Sequence, residues 1–404
     1  MRFVIYSHIY CFASGNRQLL YNTKTGTAIE SNSRFCIDLV EEVYKPANLG
    51  VVDLIESYLC QPDIAGFIKE ITEKGFGKTI EVTQDMPRII NLLPILNLQD
   101  DVERIKEDEE LEVGEKSLRY LNELNIYLHN SCHLDCPHCH AYYKQTKSCY
   151  KSPADTFIPL DKIKGILDSL AYSSLKRINF LGGDILLYPQ IEELTALLKP
   201  YDFDFRFWIH IDNLMNNKPD WDFAKEIIIT FPLDSERALK YIEESKSDKK
   251  QSYHFFIEDE NQYNAALSII NRTEITNYQI TPVYTGKNSA FFEENVYLSK
   301  EDIFASVIPH RIIFCNQKLN SNFFGKLNIL SNGEIKANMN TQTLGNINTN
   351  SLLEIIAKEL MTNTAWRVIR KEAPCKDCLY QYLCPPPSNY ETAIGKPNLC
   401  HINP

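Results

Sequence analysis

Apolar and polar positions alternate along residues 3–12 and again along 18–23, and Thr25-Gly26 turns into a third stretch of the same kind. A period of two predicts short strands, here with a hairpin among them. The period then lengthens. Ser33 opens an amphipathic run to residue 43, and residues 64–74 make a second that stops at Gly75, a residue suited to ending a helix. Residues 1–85 therefore read as a small α+β unit, long enough to fold alone. Residues 100–116 hold nine Asp or Glu against three basic residues, so 86–120 is expected to be an acidic linker or solvated helix.

From residue 125 short β-rich runs alternate with helical periodicity. Strands are expected at 125–129, 177–181, 205–211, 226–231, 253–257 and 277–284, with helices at 160–171, 190–198, 234–244 and 261–270. Repeated βα units imply a parallel sheet, and six of them fall short of a closed eight-fold barrel. The expected fold is α/β, a partial (β/α)6 barrel over 121–307 with its functional groups at the carboxyl ends of the strands. The pattern breaks after residue 307. A hairpin over 324–337 turning at Asn332-Gly333, a helix over 351–361 and a tail rich in Cys and Pro suggest a third domain, 308–404.

Composition narrows the chemistry. With 44% hydrophobic and 24% charged residues the chain is of globular type, and its formal charge of -11 lacks the basic face that nucleic acid requires. Residues 1–14 lack a signal-peptide pattern, and no window approaches 18 uninterrupted apolar residues, so a cytoplasmic protein with no membrane partner is expected. In a reducing compartment twelve cysteines are not a disulfide framework. Seven fall in two groups, Cys132, Cys136, Cys139, Cys149 and Cys375, Cys378, Cys384, which points to metal or cluster ligation.

Directly after the first barrel strand the chain reads Asn130-Ser131-Cys132-His133-Leu134-Asp135-Cys136-Pro137-His138-Cys139, a CxxxCxxC loop. Three thiolates on one compact loop can bind three irons of a four-iron cluster and leave the fourth open; a zinc site completed by His133, His138 or His140 is the other reading of the same spacing. The second strand ends in Gly182-Gly183-Asp184, where two glycines expose backbone groups beside a carboxylate, an edge able to hold an amino acid by its ammonium group or simply to turn the chain. In the tail, Cys375, Cys378, Cys384 and Cys400 supply four thiolates, enough for a structural zinc or a fully ligated iron-sulfur cluster.

On these motifs residues 125–307 resemble the radical S-adenosylmethionine superfamily, whose members carry CxxxCxxC after the first strand and a Gly-Gly-Glu-type motif after the second. The resemblance implies that Cys132, Cys136 and Cys139 ligate a [4Fe-4S] cluster, that S-adenosylmethionine occupies the open iron, and that Gly182, Gly183 and Asp184 hold its methionyl amine. It further implies one-electron cleavage of the sulfonium, fed by an external reductant, and hydrogen abstraction from substrate by a 5′-deoxyadenosyl radical. Asp184 is one methylene shorter than the usual Glu, and His138 replaces an aromatic residue common before the third cysteine.

Residues 315–400 resemble the C-terminal auxiliary-cluster (SPASM) domain of peptide-modifying radical enzymes. That implies one auxiliary cluster on Cys375, Cys378, Cys384 and Cys400. A second is not expected, because Asn338 and Ser388 stand where the two-cluster form has cysteines and only Cys315 remains of that set. By pattern alone, residues 1–85 resemble the winged-helix domain that takes up leader peptides as an added strand; a structural or regulatory cap is the alternative. The implied function is modification of a ribosomally made precursor peptide, with a catalytically inactive peptide-binding partner and a zinc-stabilised module as the competing readings. Cys11, Cys36, Cys60 and Cys149 are given no role, and His129 and His210 are expected to be structural.

Overall fold

The computed structural model describes residues 1–55, 60–82, 90–94, 117–137, 139–152, 154–170 and 173–402. The acidic run 100–116 and His138 lie outside the described residues.

The N-terminal unit holds six short strands, β1 (Arg2–Ile5), β2 (Ile9–Ser14), β3 (Arg17–Asn22), β4 (Ala28–Ser31), β5 (Val51–Asp53) and β6 (Gly77–Ile80). They form two antiparallel three-stranded sheets, ordered β5-β1-β6 and β2-β3-β4. The alternation over 3–12 is thus split between sheets: the Ile9 N–H closes a turn onto Tyr6 O at 3.0 Å, and the chain changes partners there. Apolar alternation runs straight through such a turn, so the pattern alone cannot record it. Helices Arg34–Tyr44 and Pro62–Glu73 bury their apolar stripes against Phe3, Ile5, Leu20 and Phe76. Gly75 ends the second at φ 73°, as its position in the sequence predicts.

The six expected barrel strands are β7 (Glu123–Tyr127), β8 (Arg177–Leu181), β9 (Asp204–His210), β10 (Ala224–Ile229), β11 (Gln251–Ile257) and β12 (Tyr278–Pro282). Helices Leu160–Ser169, Ile191–Leu198, Ser235–Ser245 and Glu260–Thr273 pack outside them, and a short helix, Ile211–Asn216, links β9 to β10. The sheet does not stop at six. The predicted hairpin, β13 (Lys326–Ile329) and β14 (Glu334–Lys336), joins it, because β13 pairs in parallel with β7; β15 (Gly345–Asn346) completes a nine-stranded sheet ordered β12-β11-β10-β9-β8-β7-β13-β14-β15.

Successive side chains of a strand point to opposite faces. Leu124, Ile126, Ile178, Phe180, Phe207 and Ile209 face the helices and form the main core. The opposite face carries buried amides in a row. Asn125 donates to Asn328 Oδ1 (3.0 Å) and accepts from Asn179 (2.8 Å), and Asn179 Oδ1 accepts from Trp208 Nε1 (3.1 Å). Nearer the carboxyl ends, Tyr127, Leu181, Trp208, Ile228, Phe256 and Leu330 form an apolar layer. A polar row on one face therefore lies beneath an apolar floor, and the loops of the functional site stand on that floor.

The N-terminal unit also packs against the tail. Tyr10, Leu19 and Tyr21 of β2 and β3 cluster with Ile303, Ile308, Ile313, Leu379, Tyr380 and Leu383. Glu30 of β4 accepts from Tyr380 Oη and Lys300 Nζ, both at 2.7 Å, and Ser14 donates to Asp377 O at 3.1 Å.

Candidate functional site

The first cysteine loop is fastened to the end of β8 by main-chain hydrogen bonds. Gly183 N–H donates to His129 O at 2.9 Å and Asp184 N–H to Ser131 O at 2.7 Å, while Gly182 O accepts from Tyr150 N–H at 2.7 Å. The His129 ring donates through Nε2 to Asp184 O at 2.6 Å. A side chain at Gly182 would collide with His129 O, and one at Gly183 with Ser131 O. The two glycines are thus required by the passage of the cysteine loop over them, a reason the sequence motif does not disclose.

Most main-chain groups of the Gly-Gly-Asp turn are consumed in this fastening. The carbonyl of Gly183 accepts no hydrogen bond among the described residues. The Asp184 carboxyl is buried and accepts from Leu186 N–H at 3.2 Å, capping the short turn Ile185–Leu187; burial raises its pKa, against the opposing pull of His129 and His133.

Cys132, Cys136 and Cys139 gather above this turn. Burial pushes all three thiols up, Cys136 to about 12, and Cys132 and Cys139 each add to the cost of ionising Cys136. Such mutual repulsion needs a cation to relieve it, and the residues fit a positively charged metal group: Lys151 favours all three thiolates, and the amide of buried Asn213 stands beside Cys132 and favours its thiolate. Among the described residues no three Cys, His, Asp or Glu side chains converge as on a single ion. A four-iron cluster takes its thiolates on separate irons and asks for a wider triangle.

Cys149, placed in the first cysteine group by the sequence but given no role, has a thiol that feels Cys139, Cys132 and Cys136, and burial with their repulsion raises its pKa strongly. The chain leaves the loop through the helix Cys139–Gln145, and Cys149 lies near the loop again four residues beyond it. Its place in the first cysteine group was the available signal. Tyr142, on the same helix, donates to Glu258 at the end of β11 at 2.6 Å. His210 meets Thr230 at 2.9 Å, so it and His129 both serve local structure.

In the tail, Cys375, Cys378, Cys384 and Cys400 line one pocket, which Arg370 and Asn398 also enter. Burial raises Cys375, Cys378 and Cys384, the last to about 12. Cys315 lies on helix His310–Lys318 and does not line this pocket. At the positions where cysteines would complete another set, Asn338 donates to Asn389 Oδ1 at 2.6 Å and Ser388 caps helix Asn389–Ile394. Asn340 reaches both Asn389 (3.1 Å) and Lys144 O (2.7 Å), tying the tail to the helix that begins at Cys139.

Residues 126–248 match the Radical SAM superfamily, a span that contains both the CxxxCxxC loop and the Gly-Gly-Asp turn. The matched stretch lies in the mostly parallel part of the nine-stranded sheet, from β7 into the segment between β10 and β11. Among solved structures the chain is similar to Streptococcus suis SuiB bound to precursor peptide SuiA, at 15% identity and a TM-score of 0.47, covering 100% of this chain and 99% of that one. It is similar also to SuiB bound to S-adenosylmethionine (14%, TM-score 0.44, 100% and 99% covered) and to anSMEcpe with bound AdoMet (13%, TM-score 0.43, 65% and 84% covered). Likenesses this loose carry no argument about activity. No curated protein matches the chain. No helix among the described residues is long and apolar enough to cross a membrane.

Proposed function

We propose that this protein is a cytoplasmic radical S-adenosylmethionine enzyme that modifies a ribosomally made precursor peptide by hydrogen abstraction, with a crosslink, an epimerisation or a related change as the outcome. The observation that carries the reading is the pairing of a three-thiol loop with the turn fastened beneath it, where the Gly183 carbonyl accepts no hydrogen bond among the described residues. The chemistry supplied by the bound cofactors is one-electron cleavage of a sulfonium and abstraction of a hydrogen atom, with the electron drawn from an external reductant.

The chain's own groups have separable tasks. Cys132, Cys136 and Cys139 would hold the cluster through their thiolates. Gly183 O is a ready acceptor for the methionyl ammonium, with Gly182 and Asp184 shaping the same edge, and Asp184 oriented by its bond to Leu186. The apolar layer of Tyr127, Trp208 and Phe256 keeps water from the site from below.

The tail pocket supports one auxiliary [4Fe-4S] cluster on Cys375, Cys378, Cys384 and Cys400. For a peptide substrate, the edge strands β2 and β4 of the β2-β3-β4 sheet pair with no further strand among the described residues, and a leader could add there as another strand. On this reading residues 1–85 form a winged-helix-like recognition domain, 121–307 the catalytic barrel and 308–404 the SPASM-like domain.

The test is anaerobic turnover with a chemical reductant. The triple variant Cys132→Ala, Cys136→Ala and Cys139→Ala should make no 5′-deoxyadenosine yet keep the iron of the tail. Undiminished cleavage of S-adenosylmethionine by that variant would refute the assignment, and colourless protein with zinc at both sites would favour the binding-module reading.

A further inference from the structure

Arg370 is 8% exposed, and the tail fold holds its guanidinium in place. Nε–H donates to Pro385 O at 2.6 Å, Nη2 to Glu391 Oε1 at 2.7 Å, and Nη1 to Cys375 Sγ at 3.7 Å. Gln381 donates to the Arg370 carbonyl, and Glu391 is itself fixed by its capping box with Ser388. On the other side of the pocket Asn398 Nδ2 donates to Cys400 Sγ at 3.1 Å. The carboxylate and the carbonyl take two of the five guanidinium N–H donors, on Nε and Nη2, and Nη1 is left to the thiol. Arg370 faces the four-cysteine pocket, and its charge favours the thiolates of Cys375 and Cys384.

We propose that Arg370, moderated by Glu391 and assisted by Asn398, sets the reduction potential of the group held by the four tail cysteines, making it a better electron acceptor than an all-thiolate site without a cation. The inference rests on the auxiliary-cluster reading above. Reduction adds one electron and one negative charge, with no bond made or broken. A buried positive charge and N–H donors aimed at the sulfurs stabilise that added charge more than they stabilise the oxidised state, so they raise the potential.

The test uses the full chain carrying Cys132→Ala, Cys136→Ala and Cys139→Ala, so that only the tail site can bind iron, and follows the reduced signal by electron paramagnetic resonance during a redox titration. Arg370→Gln should lower the midpoint by at least a tenfold change in the oxidised-to-reduced equilibrium, about 59 mV for one electron. Glu391→Gln, which retains a residue able to form the capping box, should raise it, and Arg370→Lys should fall between Gln and the parent. Opposite signs are not expected of a merely structural pair. Unchanged midpoints in Arg370→Gln and Glu391→Gln, with the cluster present, would overturn the proposal. If Arg370→Gln fails to retain iron, the direction of the Glu391→Gln shift decides. A parent triple variant without iron and sulfide would instead sink the auxiliary-cluster reading beneath it.

Discussion

The two cysteine sites are built by opposite means. The loop of Cys132, Cys136 and Cys139 comes from one short stretch of chain and is held by main-chain bonds to the end of β8. The tail pocket gathers Cys375, Cys378 and Cys384 with the distant Cys400 and walls them with a paired arginine. Three thiols over an unpartnered carbonyl leave a metal group a position for a second molecule; four thiols inside one pocket leave it none. The lesson is that thiol count and the hydrogen-bonding state of the surrounding main chain together separate an open site from a closed one.

Substitutions that strike one site and spare the other would break or sharpen this contrast. The largest effect is expected from Gly183→Ala. Its methyl group would collide with Ser131 O and displace the loop, so 5′-deoxyadenosine formation should fall by about 10²-fold or more while the tail retains its iron. Equal turnover would mean that the fastening is dispensable.

Leu19→Ala acts on the other site. Leu19 is fully buried between β3 and the segment around Leu379, and truncation there should cost about 2–5 kcal/mol in chemical denaturation of the holoprotein. The tail signal should be lost at lower denaturant than the first-loop signal; simultaneous loss would show that the two sites do not unfold separately.

Asn179→Ala touches neither set of thiols. It leaves the Trp208 N–H and one bond of Asn125 unmade, a loss of about 1–3 kcal/mol for each buried group left unpaired, and both clusters should stay at full occupancy. Loss of iron from either site would tie the amide row to metal binding.

Much of this was readable in the chain. The strand over 177–181 matches β8 residue for residue, and the helices expected from Ser33 and over 234–244 begin at Arg34 and Ser235. The cysteine spacings were legible because spacing along one short loop is a local property of the chain. What escaped is non-local. The turn between β1 and β2 carries apolar residues on both sides, and β5 and β6, of three and four residues, are too short to show a period. Nothing local announces that β13 will pair with β7, that Cys149 returns to the first loop, or that Arg370 meets Cys375. These depend on what the fold brings together, and each involves a residue whose commonest role is unremarkable.

The sheet that hosts Tyr10, Leu19 and Tyr21 has a second consequence. Its inner face presses on the segment bearing Cys378 and Cys384, so the N-terminal unit is a lid on the tail as well as a separate fold. Trimming away the first eighty-five residues would strip that lid, leave Leu379, Tyr380 and Leu383 facing water, and open the thiols behind them to oxygen. A truncated protein that binds peptide poorly would thus be ambiguous by construction, and single changes on the outer edges of β2 or β4 are the cleaner way to ask what docks there.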